Sequence, residues 1–454
     1  MNRICNFLRD NRVLLLLFVL GFLLRLALAL PGYWSGADLS FARPDTPGYL
    51  GPAQALAQDN AYLDSPGGVP NCGRAPGFPF FASLFFRLFG MSISAVETLV
   101  FGLILVGSLI PLAVYWAGKV WFDRRIGLWA CGFTVLNLTM IANSPMLLSD
   151  TLFGLFVALT LGCYGMFYKH KAIGYFFIAL FLAGIGALIR PINSVWVLPA
   201  LFLIAVTPEL NYRKKCLAAV GGATLFLLVI FPWMGRNAAL GAGWVIDTNT
   251  GAMYHQNGAM LLSKVNHSGF EEEKAKILAE LEKEFADKTK YPDLKSQSDY
   301  RKRQFLKLIL AHPLAWLPQH FKVQILLPDA PTFFEILGIT SGGRGTMDVM
   351  QKSGVLAAVN HYFNGKTYIL LPVLPLLLVT LVMYIFALMK LFDWVIHIRH
   401  DWYMILIFLA FVEYYFFLPG PIVAPRYQIP ALPLIAIMAS TQVLRFCNWL
   451  RRKE

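Results

Sequence analysis

The sequence predicts an all-α protein that passes through a membrane about ten times. Three observations carry that expectation. Of 454 residues, 57% are hydrophobic and only 14% are charged, with a mean hydropathy of +0.57. Apolar runs recur along the whole chain at about the length, roughly 17–25 residues, that crosses the hydrocarbon of a bilayer. Lys and Arg concentrate in every second turn between those runs, the pattern that fixes orientation in a membrane. That pattern accounts for much of the net charge of +13 without a nucleic-acid partner. A water-soluble globular domain is excluded as the main body.

The first span is read as Val13–Leu30, behind the basic residues Arg3, Arg9 and Arg12. It has no A-x-A cleavage site and is too long for a cleaved signal, so it is expected to stay as an anchor delivering the chain outward. Arg25 interrupts it. An arginine at mid-span costs about 2.5–3.5 kcal/mol on insertion scales. Two readings of it stay open: contact with an interface or neighbouring helix, or a part in holding a lipid phosphate. A large first outward loop, residues 31–92, follows. Within it Pro76–Phe89 is apolar but short and holds two prolines and Arg87, so it is expected to lie at the interface as a juxtamembrane helix.

Span 2, Ile93–Ala117, returns to Lys119, Arg124 and Arg125. Spans 3 to 7 are read as Ile126–Asn143, Thr151–Tyr168, Ile173–Ile189, Val195–Val206 and Cys216–Met234. The inward turns among them carry Lys169-His170-Lys171 and Arg213-Lys214-Lys215. A polar outward segment, residues 236–366, separates spans 7 and 8. Its EEEKAKILAELEKEF stretch (Glu271–Phe285) reads as a charged helix with i,i+4 pairs. The basic, amphipathic stretch from Ser298 reads as a surface helix. Tyr368–Leu391, Met404–Leu418 and Ile429–Leu444 complete the spans, with Glu413 expected to be hydrogen-bonded inside the bundle. The expected organisation is a membrane module over 1–235, the outward segment 236–366, and a last group of spans over 367–454. Both termini fall on the cytoplasmic side. The six cysteines show no disulfide framework and no metal-ligand spacing.

Span parity brings a particular set of polar residues to the outward face: Asp45, Arg74, Asp150, Arg190, Arg236 and Arg426. Arginine binds phosphate in two-pronged fashion and keeps its charge in a poorly solvated site. A carboxylate beside it can take a proton from an attacking hydroxyl or amine. Each residue also has a plainer reading: a turn or helix cap for Asp45 and Asp150, a helix-end anchor for Arg190, Arg236 and Arg426. Their gathering on one face favours a site.

With these residues in view, the chain resembles the C-type integral membrane glycosyltransferases, and within them the protein-mannosyltransferase and aminoarabinose-transferase group (glycosyltransferase family 39-like). The resemblance rests on PDTPGYLGPAQALA (Pro44–Ala57), RAPGFPFFASLFFRLFG (Arg74–Gly90), SPMLLSDTLFGLFVALTL (Ser144–Leu161), LIRP (Leu188–Pro191), PWMGRN and NTGAMYHQNGAM (within Pro232–Met260), and APRYQIPALP (Ala424–Pro433). It implies a sugar donor linked to a polyprenyl phosphate, undecaprenyl phosphate in a bacterial inner membrane. The acceptor it implies is a periplasmic lipid, glycan or protein. It implies Asp45 and Asp150 as catalytic carboxylates, Arg74, Arg236 and Arg426 as holders of the donor phosphate, and Tyr49, Arg190, Asn237 and Tyr427 as substrate contacts. Some relatives bind a divalent cation near the first-loop acid; no ligand set for one stands out here. Thr46 follows Asp45 where many protein mannosyltransferases carry an Asp-Glu pair, which leaves the acceptor open. The competing expectation, a flippase or transporter of lipid-linked sugars, requires charges through the depth of the bilayer, whereas these collect at one face.

Overall fold

The computed structural model describes residues 11–249, 253–321, 327–339, 346–363, 365–397, 402, 411–412, 414–416, 420 and 424–451. The described residues form helices and turns, with an antiparallel β-bridge between Leu63 and Pro70. This is an all-α, multi-pass membrane protein. Its α-helices longer than one turn among the described residues, in order, are α1 (Arg12–Trp34), α2 (Pro47–Gln58), α3 (Gly77–Phe89), α4 (Ile93–Trp121), α5 (Arg124–Val135), α6 (Leu138–Asn143), α7 (Asp150–His170), α8 (Ile173–Ile189), α9 (Val197–Val206) and α10 (Tyr212–Ala239). Then come α11 (Ala259–Val265), α12 (Phe270–Phe285), α13 (Leu294–Ala311), α14 (Ala330–Ile336), α15 (Thr346–Tyr362), α16 (Leu370–Ile396) and α17 (Leu432–Arg451).

Five of these, α1, α4, α7, α10 and α16, are long and apolar enough to cross a membrane. Such lengths arise because Leu, Ile, Val and Phe side chains face hydrocarbon as readily as protein, so both faces of a helix can be apolar. On α1, Leu16 and Leu23 point away from the bundle while Gly21, Arg25 and Leu28 are buried. The bundle core is built by α4 against α5 and α7, α8 against α7 and α10, and α17 against α16 and α5. Close approach of helices is bought with small residues: a Cβ on Gly162 of α7 would stand 2.3 Å from the Trp116 ring of α4.

Two of the expected spans are not continuous α-helices. The run Ile126–Asn143 is two helices, α5 and α6. Asn137 breaks it: its side chain accepts from the Met140 N–H at 2.9 Å and starts a new helix. The Leu138 N–H next to the break donates to Thr380 on α16. Non-helical backbone is tolerated at this depth because protein, not lipid, surrounds it. The run before Val206 likewise begins as a 3₁₀ turn over Pro191–Trp196, since Pro191 cannot extend α8. Helix α10 continues beyond Met234 to Ala239, so Arg236 and Asn237 sit in its last turn rather than in a loop. Most of Met404–Leu418 lies outside the described residues, and Glu413 with it.

Arg25 is fully buried. Its Nε donates to the Ser144 hydroxyl at 2.9 Å and one terminal nitrogen donates to the Gly21 carbonyl. It therefore joins α1 to the end of α6, the first of the two readings open for it. Helix α3, about 20 Å long at 1.5 Å per residue, is too short to span. It buries Phe78, Ala82 and Phe86 against the bundle and leaves Leu84 and Leu88 exposed, as an interfacial helix would.

Between α10 and α16 the chain forms a small second core, in which Tyr254, Ile277, Leu281, Phe285 and Tyr291 come together from α12 and its neighbours. Helix α14 does not join it. Phe333, Phe334 and Ile336 pack into the main core, beside α6 and α1.

Candidate active site

Asp45 lies in the turn between α1 and α2. Thr46 stands at the N-cap of α2 and Pro47 opens the helix, so the Asp45 side chain is not spent as a cap. The turn is docked onto the residues before α7. Leu147 N–H donates to the Phe41 carbonyl at 3.1 Å, and the Thr46 hydroxyl donates to the Leu147 carbonyl at 3.1 Å. Thr46 in turn accepts from the Arg43 N–H at 2.9 Å, which closes the turn. The local sequence thus holds the carboxylate away from its own backbone.

Two arginines from distant parts of the chain meet it there. Arg74, just ahead of α3, donates to Oδ1 at 2.9 Å; Arg426, just ahead of α17, donates to Oδ2 at 2.7 Å. Each guanidinium also lies over an aromatic ring, Arg74 over Tyr49 at 4.8 Å and Arg426 over Tyr427 at 5.6 Å. These ring faces fix the planes of the guanidiniums and add cation–π attraction. Burial alone pushes the Asp45 carboxyl up, but the hydrogen bonds and charges of Arg74 and Arg426 outweigh it and hold the group below its ordinary range. The carboxylate is 40% exposed and ionised at neutral pH.

A second pair stands beside the first. Asp150, the first residue of α7, is buried and ion-paired with Arg190, the residue that ends α8. Ser149 occupies the N-cap, but its hydroxyl donates to the Tyr49 hydroxyl at 3.2 Å instead of capping the helix, and Asp150, inside the helix, does not cap it either. Its charge is favoured at a helix N-terminus. Arg190 lies over the Tyr427 ring at 5.9 Å, so one tyrosine carries Arg190 and Arg426 together.

These groups border a cavity of about 650 Å³. Asp45, Tyr49, Arg74, Arg190, Arg426 and Tyr427 all line it. Six of the residues singled out by sequence therefore meet in one place. Asp150 does not reach the cavity wall; its side chain is directed at Arg190. Arg236 and Asn237 are not there, which corrects the expectation for both. The terminal nitrogens of Arg236 donate to the backbone carbonyls of Asn71 and Tyr62, and its guanidinium packs on Trp233 at 4.8 Å. Asn237 is fully buried and donates to the carbonyls of Val245 and Ile246. Placed in the last turn of a helix that outran its expected end, both face neighbouring loops and tie them down.

Sequence reasoning also missed part of the wall: Asp247, Asn249, Gln256, Asn257, Tyr414 and Tyr415. The stretch holding Asn249, Gln256 and Asn257 was in view as a motif, but nothing in its spacing marks side chains that face a common cavity. Tyr414 and Tyr415 are brought in by bonds to the turn after α8, to the Ile192 carbonyl and the Asn193 side chain. The surroundings of Asp45 do not fit a divalent cation. Both its oxygens already accept from arginine, and among the described residues no group of three or more His, Cys, Asp or Glu side chains comes together.

Residues 73–235 match the sequence model of the dolichyl-phosphate-mannose-protein mannosyltransferase family. No curated protein matches the chain in sequence. Among solved structures, the chain is similar over 99% of its length to the oligosaccharyltransferase of Archaeoglobus fulgidus tethered to an acceptor peptide with an NVT sequon (TM-score 0.56, 13% identity, 51% of that chain covered). It is similar over 98% of its length to the same organism's oligosaccharyltransferase in complex with an inhibitory peptide and a dolichol-phosphate (TM-score 0.53, 13% identity, 52% covered). The chain shares the fold of these oligosaccharyltransferase structures. The chain spans about half the length of these two structures. The family match over residues 73–235 takes in Arg74, Asp150 and Arg190 but not Asp45 or Arg426. Three-dimensional packing joins the two outlying residues to the matched segment.

Proposed function

We propose that this protein is a glycosyltransferase that moves a sugar from a polyprenyl-phosphate carrier to an acceptor. The carrier we assign is undecaprenyl phosphate, and the acceptor a lipid, glycan or protein at the periplasmic face of a bacterial inner membrane. The observation that carries the reading is the arrangement around Asp45: one ionised carboxylate, held by two arginines, at the edge of a cavity that a third arginine also lines.

The chemistry follows from those groups. Arg74, Arg426 and Arg190 supply planar, permanently charged donors for the phosphate of the donor lipid. As the bond from the anomeric carbon to the phosphate oxygen breaks, negative charge builds on that phosphate, and fixed guanidiniums stabilise it without reorganising. The leaving group departs as an anion and needs no acid. The acceptor hydroxyl or amine forms the new glycosidic bond and loses its proton to Asp45, whose ionised state suits it to be the base. Asp150, paired with Arg190, holds that arginine toward the cavity. In this reading both termini are cytoplasmic and the cavity opens to the periplasm.

The experiment is direct. Purified protein given undecaprenyl-phosphate-sugar lipids extracted from bacterial membranes, together with a periplasmic and membrane extract that supplies the acceptor, is expected to release free undecaprenyl phosphate as the sugar passes to the acceptor. Transport of intact lipid-linked sugar across vesicles, with no release of the carrier, would refute a transferase.

A further inference from the structure

The cavity holds a second carboxylate that the reaction above does not use. Asp247 lines the wall with Asn249, Gln256 and Asn257, and its 8% exposure is directed at the same space as Asp45. Its backbone is unusually well fixed for a loop residue. Trp233 Nε1 donates to the Ile246 carbonyl at 2.9 Å, and the Asn237 amide donates to the Val245 and Ile246 carbonyls at 3.0 Å each. On the other side, the Thr248 N–H donates to the Cys72 carbonyl at 2.8 Å. Arg236 completes the clamp by holding the carbonyls of Tyr62 and Asn71. The last turns of α10 thus serve to place one short segment, and Asp247 is the charged residue at its centre. Its Oδ1 accepts from the Asn249 N–H at 3.2 Å, which sets the carboxylate plane.

A carboxylate accepts hydrogen bonds from hydroxyl and amine groups, and it repels a phosphate. Its charge acts on Arg74 together with that of Asp45, and among the neutral amides of this wall its chemistry suits a ligand rich in hydroxyl or amine donors. Amide side chains and tyrosine faces share the wall, the mixture of polar groups and flat apolar surface that a pyranose ring presents in complement.

We infer that Asp247 contacts the sugar of the lipid-linked donor and sets which sugar is accepted, with Trp233, Arg236 and Asn237 as its positioning residues. This rests on the transferase reading above and adds a sugar-recognising carboxylate to it.

The test compares binding of bare undecaprenyl phosphate with that of undecaprenyl phosphate carrying mannose, glucose, galactose or 4-amino-4-deoxyarabinose, by wild type, Asp247→Asn and Asp247→Glu in detergent. Thermal unfolding serves as the control for folding. The wild type is expected to bind at least one sugar-bearing lipid more tightly than the bare lipid. Asp247→Asn is expected to lose about tenfold for that lipid, the scale of a charge-assisted hydrogen bond, and nothing for the bare one. Asp247→Glu, which keeps the charge and folds if Asn does not, is expected to change the order of preference among the sugars. Equal weakening for bare and sugar-bearing lipids, or unaltered binding of every sugar, would overturn the inference. Failure of the wild type to bind even the bare lipid would instead overturn the transferase reading.

Discussion

Replacing Asp45 by asparagine separates the two jobs its neighbourhood can do. The change keeps the shape and removes the charge that faces Arg74 and Arg426. Because the carboxylate is 40% exposed, little stability is at stake. A positioned general base contributes about 10²–10⁴-fold to rate, so release of undecaprenyl phosphate from lipid-linked sugar is expected to fall by that factor. Binding of the carrier should move the other way. A phosphate held by the same two guanidiniums stands roughly 5 Å from the carboxylate, and even screened as in bulk water that repulsion is worth about 1 kcal/mol. Asparagine removes it, so undecaprenyl phosphate is expected to bind about fivefold more tightly. The two readouts, turnover of extracted lipid-linked sugar and titration of the purified variant with undecaprenyl phosphate, are made on one preparation. Turnover within tenfold of wild type by a correctly inserted variant refutes the base. Loss of carrier binding together with turnover shows that Asp45 instead organises the arginines.

Removing one guanidinium by Arg426→Gln is expected to move the acid limb of activity to higher pH. Asp45 works as a base when ionised, so activity persists above its folded pKa and fails as pH falls through it. With Arg74 and Arg426 that limb lies below the ordinary aspartate range, and with one arginine gone burial lifts it; a pH–rate profile with the limb unmoved contradicts this. The same depression contributes stability that is present above the unfolded carboxyl pKa and lost as pH falls through the folded one. Asp150→Asn leaves Arg190 without its buried counter-charge. It is expected to cost about 3 kcal/mol, the low end for a broken buried pair because Arg190 is 24% exposed, as read from thermal or denaturant unfolding in detergent. Gly48→Ala places a Cβ 2.9 Å from Arg74 Nε; it is expected to push Arg74 off Asp45 and lower turnover severalfold with unfolding unchanged, and wild-type turnover would show that Arg74 tolerates the shift.

Composition and periodicity were enough to determine a polytopic helical membrane protein, because apolar runs and basic turns are local properties with a direct cost in hydrocarbon. They also brought Asp45, Arg74, Arg190 and Arg426 to one end of the bundle, since parity depends only on the number of crossings between them. Helix ends were less legible. Asn137 divides an apolar run only because Thr380 of α16 and the surrounding helices accommodate the break, and no sequence window contains that partner. Arg236 and Asn237 read as site residues for the same reason that Arg74 did, as polar residues at an outward end. What parted them was the extension of α10 to Ala239, which turns both toward the carbonyls of neighbouring loops. The pairing of Asp45 with Arg426, far apart in the chain, and the arrival of Asp247 in the same cavity were decided by tertiary packing alone. Charges declare themselves in a sequence, but the partner each one meets depends on how long helices stack.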